Sequence, residues 1–418
     1  MSAIVVTGVA PVSPLGVGAA AFWNGLAGRC EAPSRTLPVD VGRMIELPIV
    51  SMPANADVPG AARFFDFLAE QECPGYRDLA YAMLAVQLAL ADAKLSYDPE
   101  HNNLGVIQVF EAPGVEATVR RLFELLSGPP PSGGPPRVYD LLAPYFYSMQ
   151  AFLYVHLMSK GLSLHGFSTS VHNACTSGAF AVEVAAQRIR SGQADAMIVA
   201  GGEAFDTGVR LEWFHRLDLY AKDAAGMKPF DASSSGFYVG EGGGAIVLES
   251  ADHAARRGAT PYAIYEGGAF AHQGWKQTIP DVRSARLRGV ITQALDACRT
   301  TAEELDLVIP HGASTSLSDG YEASCLGQAL DGRAKRAVAT VLKPYTGHLL
   351  AASGIMEIIG GLLAVKHECV PATPHSARAN DGFPIPLAVN RTDRKVNTML
   401  KLSTGFTGHD AALLFRRA

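Results

Sequence analysis

Residues 196–202 read AMIVAGG, seven positions with no charge and none of the polar alternation of a strand with one face in water. A strand of this kind is stable with both faces covered, and helices are the usual cover. The rest of the chain supplies them. Strand-like AIVVTG, NLGVIQVF, GGGAIVLES, PYAIYEGGAF and LDLVIP alternate with RDLAYAMLAVQLALADAKL, SMQAFLYVHLMSKG, ARLRGVITQALDAC and GIMEIIGGLLAVKHE, whose apolar residues recur at helical spacing. The pattern continues to NTMLKLSTGFTGHDAALLFRRA. The expected fold class is α/β: two similar β/α halves, residues 1–255 and 256–418, with no linker between them. SGPPPSGGPPRVYD, residues 127–140, suits neither kind of element and is expected to be an exposed loop.

No charged residue precedes Arg29, yet the first stretch is expected to be neither a membrane span nor a secretory signal. Pro11, Pro14 and several glycines interrupt it, and a signal peptide opens on positive charge. MSAIVVTGVAPVSPLG reads instead as a short strand, Ile4 to Thr7, running into a Gly/Pro turn, and the expected compartment is the cytoplasm. Six cysteines without CxxC spacing suit reduced thiols there better than disulfides or zinc. A formal net charge of −5 gives no basic excess for nucleic acid or an anionic membrane surface, so small molecules and proteins are the expected partners.

One cysteine stands apart. TSVHNACTSGAFAVEVAAQRIRSG turns from an extended run into a helical pattern at Cys175, with FSTSVHNA as the strand and the helix ended by Gly192. A thiol at a helix N-terminus meets unpaired N–H groups and the positive end of the helix dipole, which favour an anion and predict a lowered thiol pKa. A lone cysteine is more often a small buried apolar side chain, so the surroundings decide. His311 follows an apolar strand in the loop HGASTSLSDGYE, and His348 lies in a glycine turn opening a helix in KPYTGHLLAASG. Loops at strand ends are where α/β folds keep their chemistry.

Taken together, these segments resemble the β-ketoacyl synthases, condensing enzymes of the thiolase fold, layered αβαβα. NACTSG resembles the family's nucleophile motif, HGASTSLSD its HGTGTxxxD loop and KPYTGHLLAASG its KxxxGHxxGAAG segment. Further similarity runs through VTGVAPVSPLG, AGGEA, PFDASSSGFYVGEGGGAIVLE and STGFTGHDAALLF, so the resemblance spans essentially the whole chain. It implies a decarboxylative condensation of a Cys175-bound acyl group with a malonyl thioester on acyl carrier protein. His311 and His348 would polarise the malonyl thioester, and Lys343 would organise charge with Glu357 as partner. Thr315 and Asp319 would support the loop. The backbone N–H groups of Cys175 and Phe406 would form an oxyanion hole, and Phe406 would gate the pocket. No cofactor and no metal are implied, and GEGGG at 240–244 is expected to serve tight backbone packing. The partners implied are acyl carrier protein and a second ketosynthase-like subunit, in a homodimer or heterodimer, with STSVHNA as a candidate interface strand.

The chain also departs from the family pattern. Ser234 and Ser235 stand where Arg-Asp is usual, FEAPGV at 110–115 replaces a glycine-rich turn at the acyl pocket, Thr404 replaces a phenylalanine and Thr407 a glycine beside Phe406. A loop with fewer glycines is expected to be stiffer. These departures point to a specialised acyl substrate in a type II polyketide or fatty-acid pathway. Two alternatives share the fold: a non-elongating, chain-length-factor-like partner, which would lack the nucleophile that Cys175 supplies, and an acyltransferase, which would not need both histidines.

Overall fold

The computed structural model describes residues 2–127, 139, 143, 146–221, 226–376 and 382–418. The loop expected at 127–140 lies almost wholly outside them. Ten strands carry the architecture. In chain order they are β1 (Ile4–Ser13), β2 (Gly105–Val109), β3 (Thr169–Ser170), β4 (Ala196–Glu203), β5 (Gly242–Ser250), β6 (Ala263–His272), β7 (Leu307–Ile309), β8 (Val338–Ala339), β9 (Thr398–Thr404) and β10 (His409–Arg417). They hydrogen-bond in the order β8-β7-β9-β10-β6-β1-β5-β4-β2-β3. Counted within each half, both sets run third, second, fourth, fifth, first from the outer edge. The halves are topological copies, although their sequences show no visible repeat.

Alternate residues of each strand enter different cores. Met197 and Val199 of β4, Ile246 and Leu248 of β5, Leu307 and Ile309 of β7, and Leu413 and Phe415 of β10 face a central core. That core also takes Val182, Ala185 and Ala186 from helix α3 (Ser177–Arg190) and Ile355, Ile358, Ile359 and Leu362 from helix α6 (Ser353–His367). On the far face of the first half, Ile198 and Val247 pack with Leu79, Met83 and Val86 of α1 (Arg77–Asp92) and Leu157 of α2 (Ala151–Leu162). On the far face of the second, Val308, Leu400 and Leu414 pack with α4 (Arg286–Ala297) and α5 (Ser316–Leu330). The result is helix, sheet, helix pair, sheet, helix. The apolar run of β4 is therefore covered on both faces, as period-2 geometry demands. The segment Leu350–His367 is apolar and long enough to cross a bilayer, with mean hydropathy 1.3, but it is buried in the central layer.

Two expectations about strands need correction. The first strand does not stop at Thr7 but continues to Ser13. Pro11 is tolerated because it lies beyond the β6 ladder, which ends at Val6, and on that edge it meets the turn back through Gly16–Val17 as an acceptor, its carbonyl taking the Gly18 N–H (2.8 Å). Gly8 does not turn the chain; an added Cβ there would sit 2.2 Å from the Ala89 carbonyl oxygen, so it admits α1 against the strand. In FSTSVHNA only Thr169–Ser170 forms strand, the short outer edge of the sheet.

Candidate active site

In the first half β3 and β4 both run parallel to β2, and in the second β8 and β9 both run parallel to β7. Within each half, therefore, the segments that leave these strands emerge at one shared carboxyl end, and the packing of the halves brings the two sets together. Glu111 follows β2, Cys175 follows β3, His311 follows β7, His348 follows β8 and Phe406 follows β9. All five line one cavity, which Thr315 and Thr404 also line. Its free volume is about 50 Å³, room for a few water molecules and too little for an acyl chain with its pantetheine thioester.

Cys175 is presented by a strained turn. Ala174 has φ +48°, a left-handed conformation uncommon for a residue with a Cβ. Its neighbours hold it: Thr176 Oγ1 donates to Asn173 O (2.6 Å), Ser177 Oγ donates to Ala174 O (2.7 Å), and Asn173 N–H donates to Ser177 Oγ (2.8 Å). Helix α3 starts two residues later and meets the start of α6, where Gly178 has no room for a Cβ because Ile355 N would lie 2.9 Å from it. The sequence predicted a lowered thiol pKa, and the structure reverses that. Burial is the largest influence and raises it, and Glu111 adds to the rise, against a smaller opposing pull from Lys343. Cys175 is a protonated thiol at neutral pH.

The two imidazoles lie with ring centroids 5.4 Å apart. Leu350 N–H donates to His348 Nδ1 (3.1 Å), and Ser353 Oγ lies 2.8 Å from the same nitrogen, which makes Nδ1 the acceptor and leaves the proton on Nε2. Lys343 Nζ, a donor only, lies 3.4 Å from His311 Nδ1 and gives that ring the same tautomer. Burial first, and Lys343 next, push both histidines well below the ordinary histidine pKa, so both are neutral. The turn carrying His348 sits where Gly347 and Gly240 pass in backbone contact; a Cβ on Gly240 would overlap the Thr346 carbonyl oxygen. That is the packing role of the first glycine in GEGGG.

Behind the cavity lies a buried charge cluster. Lys343 donates to the His311 carbonyl (2.5 Å) and pairs with Glu357 Oε1. Lys401, which sequence reasoning missed, pairs with Glu357 Oε2 at 2.7 Å and is fully buried in β9. Glu322, also missed, accepts the backbone N–H groups of His311 (2.6 Å) and Gly312 (2.9 Å). Both carried a signal: a lysine within the apolar run TMLKL, and a glutamate one helical turn after Asp319. Asp319 accepts from Phe230 N–H (2.7 Å) and Ser314 N–H (3.1 Å), and burial raises its pKa to about 7. Thr315 is the N-cap of α5. Ser234, one of the two serines in place of a charged pair, hydrogen-bonds Ser314 O and lies 3.0 Å from Ser314 Oγ, so neutral hydroxyl contacts tie these two loops.

Phe406 is half-buried and packs edge-on to Trp213 with centroids 5.7 Å apart. Thr407 beside it has φ +62°, a strained conformation for a β-branched residue. Gly405 passes close to the Cys175 turn; a Cβ there would lie 3.2 Å from Thr176 and 3.4 Å from Cys175 N. His172 and His409 stand outside this geometry, His172 beside Ser170 Oγ (3.1 Å) and His409 beside Asn173 (3.3 Å).

Two topologically equal halves that enclose a cysteine and two neutral histidines define the thiolase-like condensing-enzyme class. The model of the β-ketoacyl synthase N-terminal domain matches residues 1–254, and that of the C-terminal domain matches residues 262–377. The chain belongs to the β-ketoacyl synthase family. It is 29% identical to 3-oxoacyl-[acyl-carrier-protein] synthase 2 of Rhizobium meliloti, covering 100% of this chain and 99% of the relative. It is 26% identical to the tetracenomycin polyketide synthase ketoacyl synthase alpha subunit of Streptomyces glaucescens, covering 99% and 97%. Among solved structures, the ishigamide ketosynthase/chain length factor matches with TM-score 0.84 at 24% identity, over 100% of this chain and 99% of that one. A β-ketoacyl synthase from Burkholderia phymatum also matches with TM-score 0.84 at 24% identity, with 100% of both chains covered, and shares the fold.

Proposed function

We propose that this protein is a β-ketoacyl-[acyl-carrier-protein] synthase that joins a Cys175-bound acyl group to malonyl carrier protein. The observation that carries this reading is the presence of Cys175 and two neutral imidazoles in one cavity, each imidazole with its proton on Nε2. In the first half-reaction Cys175 Sγ attacks the acyl thioester, and its proton passes to the departing pantetheine sulfur. A thiol with a raised pKa is compatible with that exchange, because one sulfur loses the proton the other gains. In the second, the malonyl carboxylate leaves as CO2 and its bonding pair becomes the enolate, stabilised by the N–H groups of His311 and His348. The enolate attacks the acyl-Cys carbonyl, whose oxyanion is held by the N–H groups of Cys175 and Phe406. Collapse releases the β-ketoacyl thioester, and Cys175 takes up a proton.

Lys343, Lys401, Glu357 and Glu322 act as positioning residues for the two histidine loops. Asp319 and Thr315 hold the loop after His311. With only about 50 Å³ free, an acyl chain enters when Phe406 swings away from Cys175, which is the basis of its gating role. The two halves, 1–255 and 256–418, work as one ketosynthase unit in the cytoplasm. The short outer strand β3 is the surface offered to a second ketosynthase-like subunit. The test is to incubate the protein with a panel of acyl carrier thioesters, record the acyl mass on Cys175, and follow CO2 release from malonyl carrier protein. Acyl-Cys175 with CO2 release is expected. A protein whose Cys175 never takes an acyl group would be a non-elongating partner subunit, and one acylated without CO2 release would be an acyltransferase.

A further inference from the structure

The equal strand order of the two halves gives every residue after a strand a counterpart. Glu111 stands two residues after the end of β2, and His311 stands two residues after the end of β7, its partner strand in the second half. Both side chains line the cavity with Cys175. Lys343 and Glu322 hold His311 through Nδ1 and its backbone, leaving Nε2–H to face the cavity, whereas one carboxyl oxygen of Glu111 has no such holder among the described residues.

The backbone N–H of Glu111 donates to Glu203 Oε1 (3.0 Å). The other oxygen of Glu203 takes Arg210 Nη2 (2.9 Å), and Arg210 Nη1 lies 3.8 Å from Glu116. The nearby guanidinium is therefore committed to two other carboxylates. Glu111 Oε2 is buried and has no hydrogen-bond partner among the described residues. A buried oxygen left this way is costly unless a ligand group satisfies it. Burial also raises the Glu111 pKa, against a smaller pull from Arg210, which moves the carboxyl toward the form that both donates and accepts.

We propose that Glu111 makes this cavity selective for acyl groups that carry a hydroxyl, which pairs with Glu111 Oε2 while the acyl carbonyl is bonded to Cys175. The inference rests on the ketosynthase reading and specifies its substrate class. A hydroxyl satisfies the carboxyl in either protonation form, because it too donates and accepts. An unsubstituted alkyl chain would cover Oε2 and leave it unpaired. A site built around a buried polar group discriminates against the analogue that lacks the matching group by well over tenfold.

The experiment uses the full chain and pantetheine thioesters of hexanoate and of its 3-, 4-, 5- and 6-hydroxy derivatives, with the rate of acyl loading on Cys175 read by mass spectrometry. At least one hydroxy isomer should load about tenfold or more faster than hexanoate. Glu111→Leu should bring that ratio close to one, slowing the hydroxy isomer and speeding hexanoate. Glu111→Gln, which keeps a donor and an acceptor in the same shape, should retain part of the preference and guards against a folding defect in the leucine variant. If every hydroxy isomer loads within twofold of hexanoate, or Glu111→Leu speeds all of them equally, Glu111 is a plug and the inference is overturned. If native Cys175 takes no acyl group from any thioester yet still reacts with iodoacetamide, the ketosynthase reading itself falls, and this inference with it.

Discussion

Glu357 ion-pairs both buried ammonium groups, with Glu322 acting on them from farther off, so replacing Glu357 with glutamine is the sharpest perturbation of the charge cluster. Lys401 Nζ lies 2.7 Å from Oε2, a contact worth ~6 kcal/mol of Coulomb energy at an effective dielectric constant of 20. Much of that offsets the desolvation of the pair, and removal of one partner of a buried pair typically costs ~3–5 kcal/mol. At ~2.1 cal/mol/K of unfolding entropy per residue, 418 residues have ~0.9 kcal/mol/K, so Glu357→Gln should lower Tm by ~3–6 °C. The pH dependence carries the diagnosis. Burial already holds Lys401 below the ordinary lysine pKa, with Glu357 opposing that shift, and the variant should depress it further. A lysine whose folded pKa lies below its unfolded value is destabilising while it is charged. The unfolded state then binds more protons, and stability rises with pH. The Tm deficit should thus be full at neutral pH and shrink toward pH ~10, by ~1.4 kcal/mol for each unit of added depression. Differential scanning calorimetry from pH 6 to 10 measures this. Adding Lys401→Met should restore most of the loss, because one lysine is then left without a rival. A Tm change under ~1 °C, or a deficit independent of pH, would refute the assignment of Glu357 as their shared counter-ion.

Three further outcomes follow from the site geometry. His311→Ala and His348→Ala should still take an acyl group on Cys175 but lose condensation by ~10²-fold or more, as measured by β-ketoacyl product, since each removes one N–H donor from the enolate. Iodoacetamide should label Cys175 with a rate that keeps climbing through pH 9; a plateau near pH 7 would mean that the helix N-terminus outweighs burial. Phe406→Ala should keep the fold, because the ring is half-buried in a loop, yet release CO2 from malonyl carrier protein without condensed product. Tight coupling retained in that variant would reduce Phe406 to a packing residue.

Much of this protein was legible in the chain because the relevant signals are local. The apolar run AMIVAGG declared a strand covered on both faces, and NACTSG, HGAST and KPYTGH marked turns between a strand and a helix, where short-range backbone geometry and chemistry coincide. What sequence could not decide was which distant groups share a dielectric environment. The thiol of Cys175 sits at a helix N-terminus, and that local fact predicted a lowered pKa. Burial beneath segments from both halves, with Glu111 arriving from β2, reversed it. Lys401 looked like one polar residue in a strand until β9 placed it against Glu357 of α6. The first strand read as ending at Thr7 because the partners that carry it on to Ser13, β5 and the turn through Gly16–Val17, are not written in β1 itself. The equality of the two halves, which places Glu111 and His311 in matching positions, was likewise invisible as identity. Topology is held by which alternate positions are apolar, a condition that many unrelated side chains meet equally well, so the fold keeps a symmetry the amino acids themselves do not show.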